Sequence, residues 1–188
     1  HLDAGPAHLV GTSYGASAVA WAAAEAPDRV ASVTLVGPFV RDLPVPAVQA
    51  AALRLALRRP WGVRFWTWWY GQKLFPGPRP DDHDAHVAAV RANLAEPGRL
   101  EAVAAMARPD CAAIDRRLDE VSAPTLVVMG TADPDFPDPA AEATAIAERV
   151  GGEVLLVEGS GHYPHVDAAA TTGPAIRRFL AAATDGVG

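Results

Sequence analysis

The chain has one cysteine, Cys111, and one lysine, Lys73, in 188 residues. A lone cysteine excludes an internal disulfide and any zinc site built from several thiolates. No apolar run approaches the roughly 20 residues needed to span a bilayer, so no membrane partner is expected. Positive charge is also scarce: 16 basic against 22 acidic residues, a net charge of −6, which argues against nucleic acid as a partner. An initiating methionine is missing, and no signal peptide is visible. His1-Leu2-Asp3-Ala4-Gly5-Pro6 reads as the tail of a helix stopped at Gly5-Pro6. A cytoplasmic location is expected, with a leader ahead of His1 left open. Half of the residues are apolar and a fifth are charged, the balance of one soluble globular domain with a sizeable core.

The most informative stretch is Gly11-Thr12-Ser13-Tyr14-Gly15. An apolar run, Ala7 to Val10, leads into it, and a small-residue helical stretch, Ala16 to Ala26, leads out. Strand, sharp turn and helix is the setting that raises a serine hydroxyl at the carboxyl end of a parallel strand. Such a turn needs unusual backbone angles, and a Cβ at either flanking glycine is expected to clash. Segment 7–13 reads as a short buried strand, 14–26 as a helix, and Val30–Val36 as a β-branched strand stopped by Gly37-Pro38. This is a βαβ unit and predicts a parallel pair.

From about Pro44 to Leu118 only helical patterns appear: Val45–Arg59, the aromatic Trp61–Leu74, Asp82–Ala95, Arg99–Ala107 and Ala112–Leu118. Strands then return at Pro124–Met129 and Glu153–Val157. Between them a helix is capped by Asp138-Pro139 and stopped at Gly151-Gly152. A loop covers Gly159–Val166, and the last helix is expected from about Pro174, with Ile176, Phe179, Leu180 and Ala183 on one face. The fold class is therefore α/β, a parallel sheet flanked by helices. Residues 1–40 and 119–188 form its core, and 41–118 are a helical insertion between strands.

A serine hydroxyl is a poor nucleophile at neutral pH and needs a base within hydrogen-bond reach. Imidazole suits that role, and a carboxylate fixes its tautomer and stabilises the imidazolium. In an open parallel sheet these groups come from loops at the carboxyl ends of strands. Asp133 follows the third strand in Gly130-Thr131-Ala132-Asp133, and His162 follows the fourth in Gly159-Ser160-Gly161-His162. The order Ser13, Asp133, His162 is the order expected of a hydrolase with this elbow.

With those three motifs in place, nearly the whole chain resembles the α/β-hydrolase superfamily, most closely its small bacterial lid-bearing serine members. His8–Gly15 resembles the nucleophile strand and elbow, and Leu35-Val36-Gly37-Pro38-Phe39 the strand entering the lid. Ala123–Asp133 resembles the acid strand and loop, and Gly159–His165 the histidine loop. The serine speaks against relatives with an aspartate nucleophile, such as haloalkane dehalogenases and epoxide hydrolases. The resemblance implies that 41–118 is a lid, that no cofactor or metal is used, and that the Tyr14 backbone N–H lines the oxyanion hole. It also implies strands ahead of the nucleophile strand and a second oxyanion donor, neither of which this sequence contains. Strand 7–13 is then expected to be an open edge, with self-association as the consequence.

Each assignment has a competitor. Ser13 can be a plain turn residue. Asp135 competes with Asp133, and His165, otherwise a hydrogen-bonding loop residue, competes with His162. Asp138 reads better as a helix cap. Asp81-Asp82-His83-Asp84-Ala85-His86 can be a metal cluster, or simply acids complementing a helix N-terminus. Trp61, Phe65, Trp66, Trp68, Trp69 and Tyr70 can face a membrane, or form the inner lid face. Phe39, Trp66 and Trp69 are the pocket candidates. Cys111 reads as packing. The function expected is hydrolysis of a small ester, lactone or related carboxylic derivative. The alternatives are a ligand-sensing module or inactive remnant and, among enzymes, a C–C hydrolase, an acyltransferase or a cofactor-free haloperoxidase.

Overall fold

The structure, a computed structural model, describes residues 5–107 and 110–185. Most of the helix tail read at His1–Pro6 therefore lies outside the described residues. Four strands, β1 (Ala7–Thr12), β2 (Val30–Val36), β3 (Thr125–Gly130) and β4 (Glu153–Val157), form one sheet in sequence order, and every neighbouring pair is parallel. Parallel strands need crossovers, which here are α1 (Gly15–Glu25), α7 (Pro139–Val150) and the long segment between β2 and β3. That segment carries α2 (Ala47–Ala56), α3 (Gly62–Gln72), α4 (His83–Ala95), α5 (Arg99–Met106) and the single turn α6 (Ala112–Asp115). A short helix α8 (Pro164–Asp167) and a long helix α9 (Ala169–Asp185) close the chain.

The two central strands explain the sheet's stability. Both β3 and all but the first residue of β2 are buried, as expected where helices cover both faces of a parallel sheet. On one face, Val33, Leu35, Val127 and Met129 pack against Ala16, Ala20 and Ala23 of α1 and Ala143 and Ile146 of α7. The alanines matter because they let α1 lie close to the sheet. On the other face, Val36, Leu126, Val128 and Val157 pack against Ile176 and Phe179 of α9. The apolar stripe read on the last helix is thus its sheet-facing side.

Several sequence expectations change. β1 is not a buried strand: only Gly11 is buried along it, and Val10 is 53% exposed. It lies at one end of the described sheet, with no neighbour beyond it. The last helix begins at Ala169, five residues before the proline, so Pro174 lies inside it. Its first turn is anchored from outside, with Thr172 donating through its hydroxyl to the Pro164 carbonyl and through its N–H to the Ala168 carbonyl. The expected loop 159–166 ends in α8, and the helix read over 112–118 is one α-turn followed by a 3-10 turn at Leu118–Glu120. The aromatic helix does not turn all its rings inward, since Trp61 and Trp68 are each about half exposed. No described helix is long and apolar enough to cross a membrane.

Candidate active site

The carboxyl ends of all four strands converge on one set of loops. Ser13 follows β1 directly and takes φ 57°, the only described non-glycine residue with positive φ. A side-chain-bearing residue there stores roughly 1–3 kcal/mol of strain. The position is over-determined by its backbone. Ser13 N–H donates to the Val36 carbonyl at 2.8 Å, and the Ser13 carbonyl accepts from Ala16 N–H at 3.0 Å and Phe39 N–H at 3.3 Å. Gly11 is required sterically: a Cβ there meets Ala16 Cα at 2.7 Å and Val19 Cγ2 at 2.8 Å. The second glycine differs from expectation, because a Cβ on Gly15 meets nothing within 4 Å. Its place at the first turn of α1 needs no such clearance. Tyr14 N–H stands at the same helix start, where backbone donors lack intrahelical partners.

His162 and Asp133 are brought together. His162 Nδ1 lies 2.7 Å from Asp133 Oδ2, and both residues are almost wholly buried. Asp133 Oδ1 accepts from Asp135 N–H at 3.0 Å, so both carboxylate oxygens are engaged. Burial is the largest influence on the His162 ring and favours its neutral form. The Asp133 hydrogen bond and the charges of Asp133 and Asp135 outweigh it and raise its pKa above the ordinary histidine value. Asp135 Oδ2 also approaches the ring nitrogen, at 3.6 Å. Burial pushes the Asp135 carboxyl up to about 6, against the lowering effects of the His162 charge and of the neighbouring Trp69.

The link between Ser13 and His162 runs through the exit of β2. Gly37 has φ 52°, and a Cβ on it meets His162 Nδ1 and Cε1 at 3.2 Å and the His162 carbonyl at 2.9 Å. The sequence marks Gly37 only as a strand stop; in the structure it is the floor under the imidazole. Phe39, whose N–H holds the Ser13 carbonyl, has its ring 5.6 Å from His162 and 5.1 Å from Phe136. Among the described residues, neither Ser13 Oγ nor His162 Nε2 has a hydrogen-bond partner, so the two are not bonded to each other.

The histidine loop is packed backbone to backbone. A Cβ on Gly130 overlaps the carbonyls of Gly161 and Ser160, and one on Gly161 overlaps Leu74 O and Pro76 Cδ. His162 N–H donates to the Leu74 carbonyl at 3.1 Å. Asp167 ties the loop from the other side, accepting from the Ser160 hydroxyl and from Gly161 N–H at 3.0 Å. No sequence signal marks Asp167, which looks like any acid near a helix start. Tyr163 is a second unforeseen member. Its ring meets His162 edge-on at 4.9 Å and stacks on Phe75 at 5.3 Å, with Tyr70 5.8 Å away.

The competitors separate. Asp138 caps α7, accepting from Ala141 N–H at 2.9 Å. His165 lies exposed in α8 and makes no hydrogen bond among the described residues, unlike the bonding role expected of it. His83 is buried and bonds the Gly71 carbonyl at 3.0 Å, while His86 bonds the Tyr70 hydroxyl at 2.9 Å. Each thus has a protein partner on α3. Asp133, Asp135 and His162 have donor atoms within 4.8 Å of one another, but Nδ1 is already committed to Asp133, which suits proton handling. Cys111 is buried against the Phe39 carbonyl, and burial raises its thiol pKa. Of the pocket candidates, Phe39 adjoins His162 and Trp69 reaches Asp135. Trp66 is half-buried and takes part in no aromatic pair among the described residues. Clefts of about 850 Å³ and about 520 Å³ lie instead between α2 and α5 and between α3 and α4.

The model of the alpha/beta hydrolase family matches residues 1–172. The chain belongs to that family. Solved structures agree on the fold. A putative lipase from Acinetobacter baumannii AYE superposes with TM-score 0.72 at 18% identity, over 97% of this chain and 62% of that one. The enol-lactonase from Burkholderia xenovorans LB400 gives 0.72 at 20% identity, over 94% and 66%. A thermophilic esterase from Thermogutta terrifontis gives 0.69 at 25% identity, over 95% and 66%. This hydrolase-family chain therefore spans about two thirds of the length of each. No curated protein matches it in sequence.

Proposed function

We propose that the chain carries the nucleophile, acid and base of a serine hydrolase acting on a small ester, lactone or related carboxylic derivative. The observation that carries this reading is the buried Asp133–His162 pair, set beside a serine held at φ 57° through the shared Gly37–Phe39 backbone. Ser13 Oγ attacks the acyl carbonyl while His162 Nε2 takes its proton. The same proton then passes to the leaving alcohol, and an acyl-enzyme remains. Water, deprotonated by His162, releases the acid and restores Ser13. Asp133 holds Nδ1–H and stabilises the imidazolium. Tyr14 N–H, at the positive end of α1, donates to the oxyanion, a contribution worth on the order of 10²–10³ in rate per donor. Neither metal nor organic cofactor enters these steps. The segment 41–118 acts as the lid, with Phe39 and Trp69 at the acyl side of the site. The exposed β1 edge supports association through that edge, which light scattering measures directly; a monodisperse monomer refutes it.

A fluorophosphonate probe tests the assignment. It is expected to label the parent protein and not Ser13→Ala; labelling of both, or of neither, overturns it. The unbonded Ser13 hydroxyl favours a second reading, a ligand-binding module without turnover. A burst of product from a chromogenic ester, absent in Ser13→Ala, decides for the enzyme.

A further inference from the structure

The acid loop delivers two carboxylates to one ring nitrogen. Asp133 Oδ2 stands 2.7 Å from His162 Nδ1 and Asp135 Oδ2 stands 3.6 Å from it. The arrangement follows from a tight local turn, in which Asp135 N–H donates to Asp133 Oδ1 and so brings the second side chain back toward the ring. Asp135 keeps 23% of its side-chain exposure while Asp133 has none. Its neighbours come from three elements: Asp133 on its own loop, His162 and Tyr163 after β4, and Trp69 of α3. His162 is the only basic group in that set. A surface carboxylate has no reason to be held in such company, and a simple helix cap is excluded because Asp138 fills that role.

We propose that Asp135 is a second positioning residue for His162: its carboxylate faces Nδ1 beside Asp133, stabilises the imidazolium, and takes over the Nδ1–H hydrogen bond when Asp133 is lost. The proposal rests on the serine hydrolase reading for its catalytic consequence, but its electrostatic part stands alone. A unit charge at this distance changes the protonation equilibrium of the ring by roughly tenfold or more, even with near-aqueous screening. The carboxyl pushed up to about 6 by burial is ionised at neutral pH, so the effect operates there and fades on acidification. Trp69 gives the carboxylate a link to α3, so the helical segment and the acid–base pair share a residue.

Two measurements test this. The first is an NMR pH titration of the His162 ring in the parent and in Asp135→Asn, with His162→Gln for assignment. The His162 pKa is expected to fall by about one unit in Asp135→Asn; an unmoved titration overturns the proposal whether or not the protein is an enzyme. The second is the Ser13-dependent labelling rate with fluorophosphonate as a function of pH. Its acid limb is expected to move to lower pH in Asp135→Asn. Asp133→Asn is expected to keep a rate that Asp133→Asn/Asp135→Asn loses by a further tenfold or so. Equal rates in those two variants overturn the takeover by Asp135. Labelling that survives Ser13→Ala, or its absence in the parent, counts against the hydrolase reading and leaves the titration to decide on Asp135.

Discussion

Asp135→Asn is expected to make the protein more stable at alkaline pH while impairing its acid–base pair. The folded carboxyl titrates at about 6 against an ordinary value of 3.8, with burial the main cause. The folded state therefore binds this proton more tightly than the unfolded chain. Between those two values the native state holds more protons, so stability falls as pH rises through the window, and the whole penalty is present above it. At about 1.4 kcal/mol per pH unit, the gap corresponds to about 3 kcal/mol. Partial exposure of the side chain trims this to about 2 kcal/mol. Asparagine fills the same volume and carries no charge to desolvate. The His162 contribution runs the other way. Its raised pKa gives stability that is present below the ordinary histidine value and lost as pH rises through the folded one. Part of that stability comes from Asp135, so the variant forgoes it, and the clean comparison lies where His162 is neutral in both proteins. Thermal unfolding followed by near-ultraviolet circular dichroism from about pH 4 to about pH 8.5 is the assay. The two proteins are expected to melt together near pH 4, with the variant about 4–8 °C higher at the alkaline end. Parallel curves across the range refute the reasoning, because they show that the carboxylate is no harder to ionise in the fold than outside it.

Four other substitutions probe how the site is held. Gly11→Ala is expected to lose about 3 kcal/mol, since its Cβ meets Ala16 Cα at 2.7 Å and overpacking of this kind is costly. Gly15→Ala, with nothing within 4 Å, is expected to be neutral or slightly stabilising; urea unfolding compares the pair. Gly130→Ala drives a methyl into the Gly161 and Ser160 carbonyls, so it is expected to destabilise by about 3 kcal/mol and to abolish Ser13 labelling. Asp167→Asn weakens the bonds from Ser160 and Gly161. It is expected to cost about 1–2 kcal/mol and to slow labelling about tenfold through a loosened histidine loop, with stability read from thermal melts.

Elements whose cause is local were legible. The bounds of β2 and β4 match their β-branched and apolar runs, and the Asp138-Pro139 start of α7 is a cap with a measurable hydrogen bond. The pairing of Asp133 with His162 was legible too, because each follows a strand by a short spacing. What escaped depends on contacts distant in sequence. Pro174 signals a helix start, yet the true start at Ala169 is anchored by Pro164 and Ala168, outside the helix. Gly37 reads as a strand terminator, and only the folded loop shows that it lies beneath an imidazole 125 positions away. Gly15 shows the opposite error: its place in the motif suggests a steric need that the local packing does not impose. Asp135 was visible only as a rival to Asp133, because a one-dimensional reading sets the two carboxylates against each other and does not show that both face His162 Nδ1.

The segment between β2 and β3 is not uniformly free to move. Its stretch 70–76 is bound to the histidine loop by the Leu74 carbonyl, by Gly161 packed on Leu74 and Pro76, and by the Phe75–Tyr163 stack. Moving that stretch breaks a hydrogen bond to the His162 backbone and uncovers the edge of its ring, so α3 cannot swing away without disturbing His162. The α2 helix is placed differently. It has no buried residue, and Val48 and Leu55 are both largely exposed along it. Few buried contacts mean a low free energy of local opening. Local opening of this segment is therefore expected at α2 before the stretch 70–76, which is tied to the histidine loop.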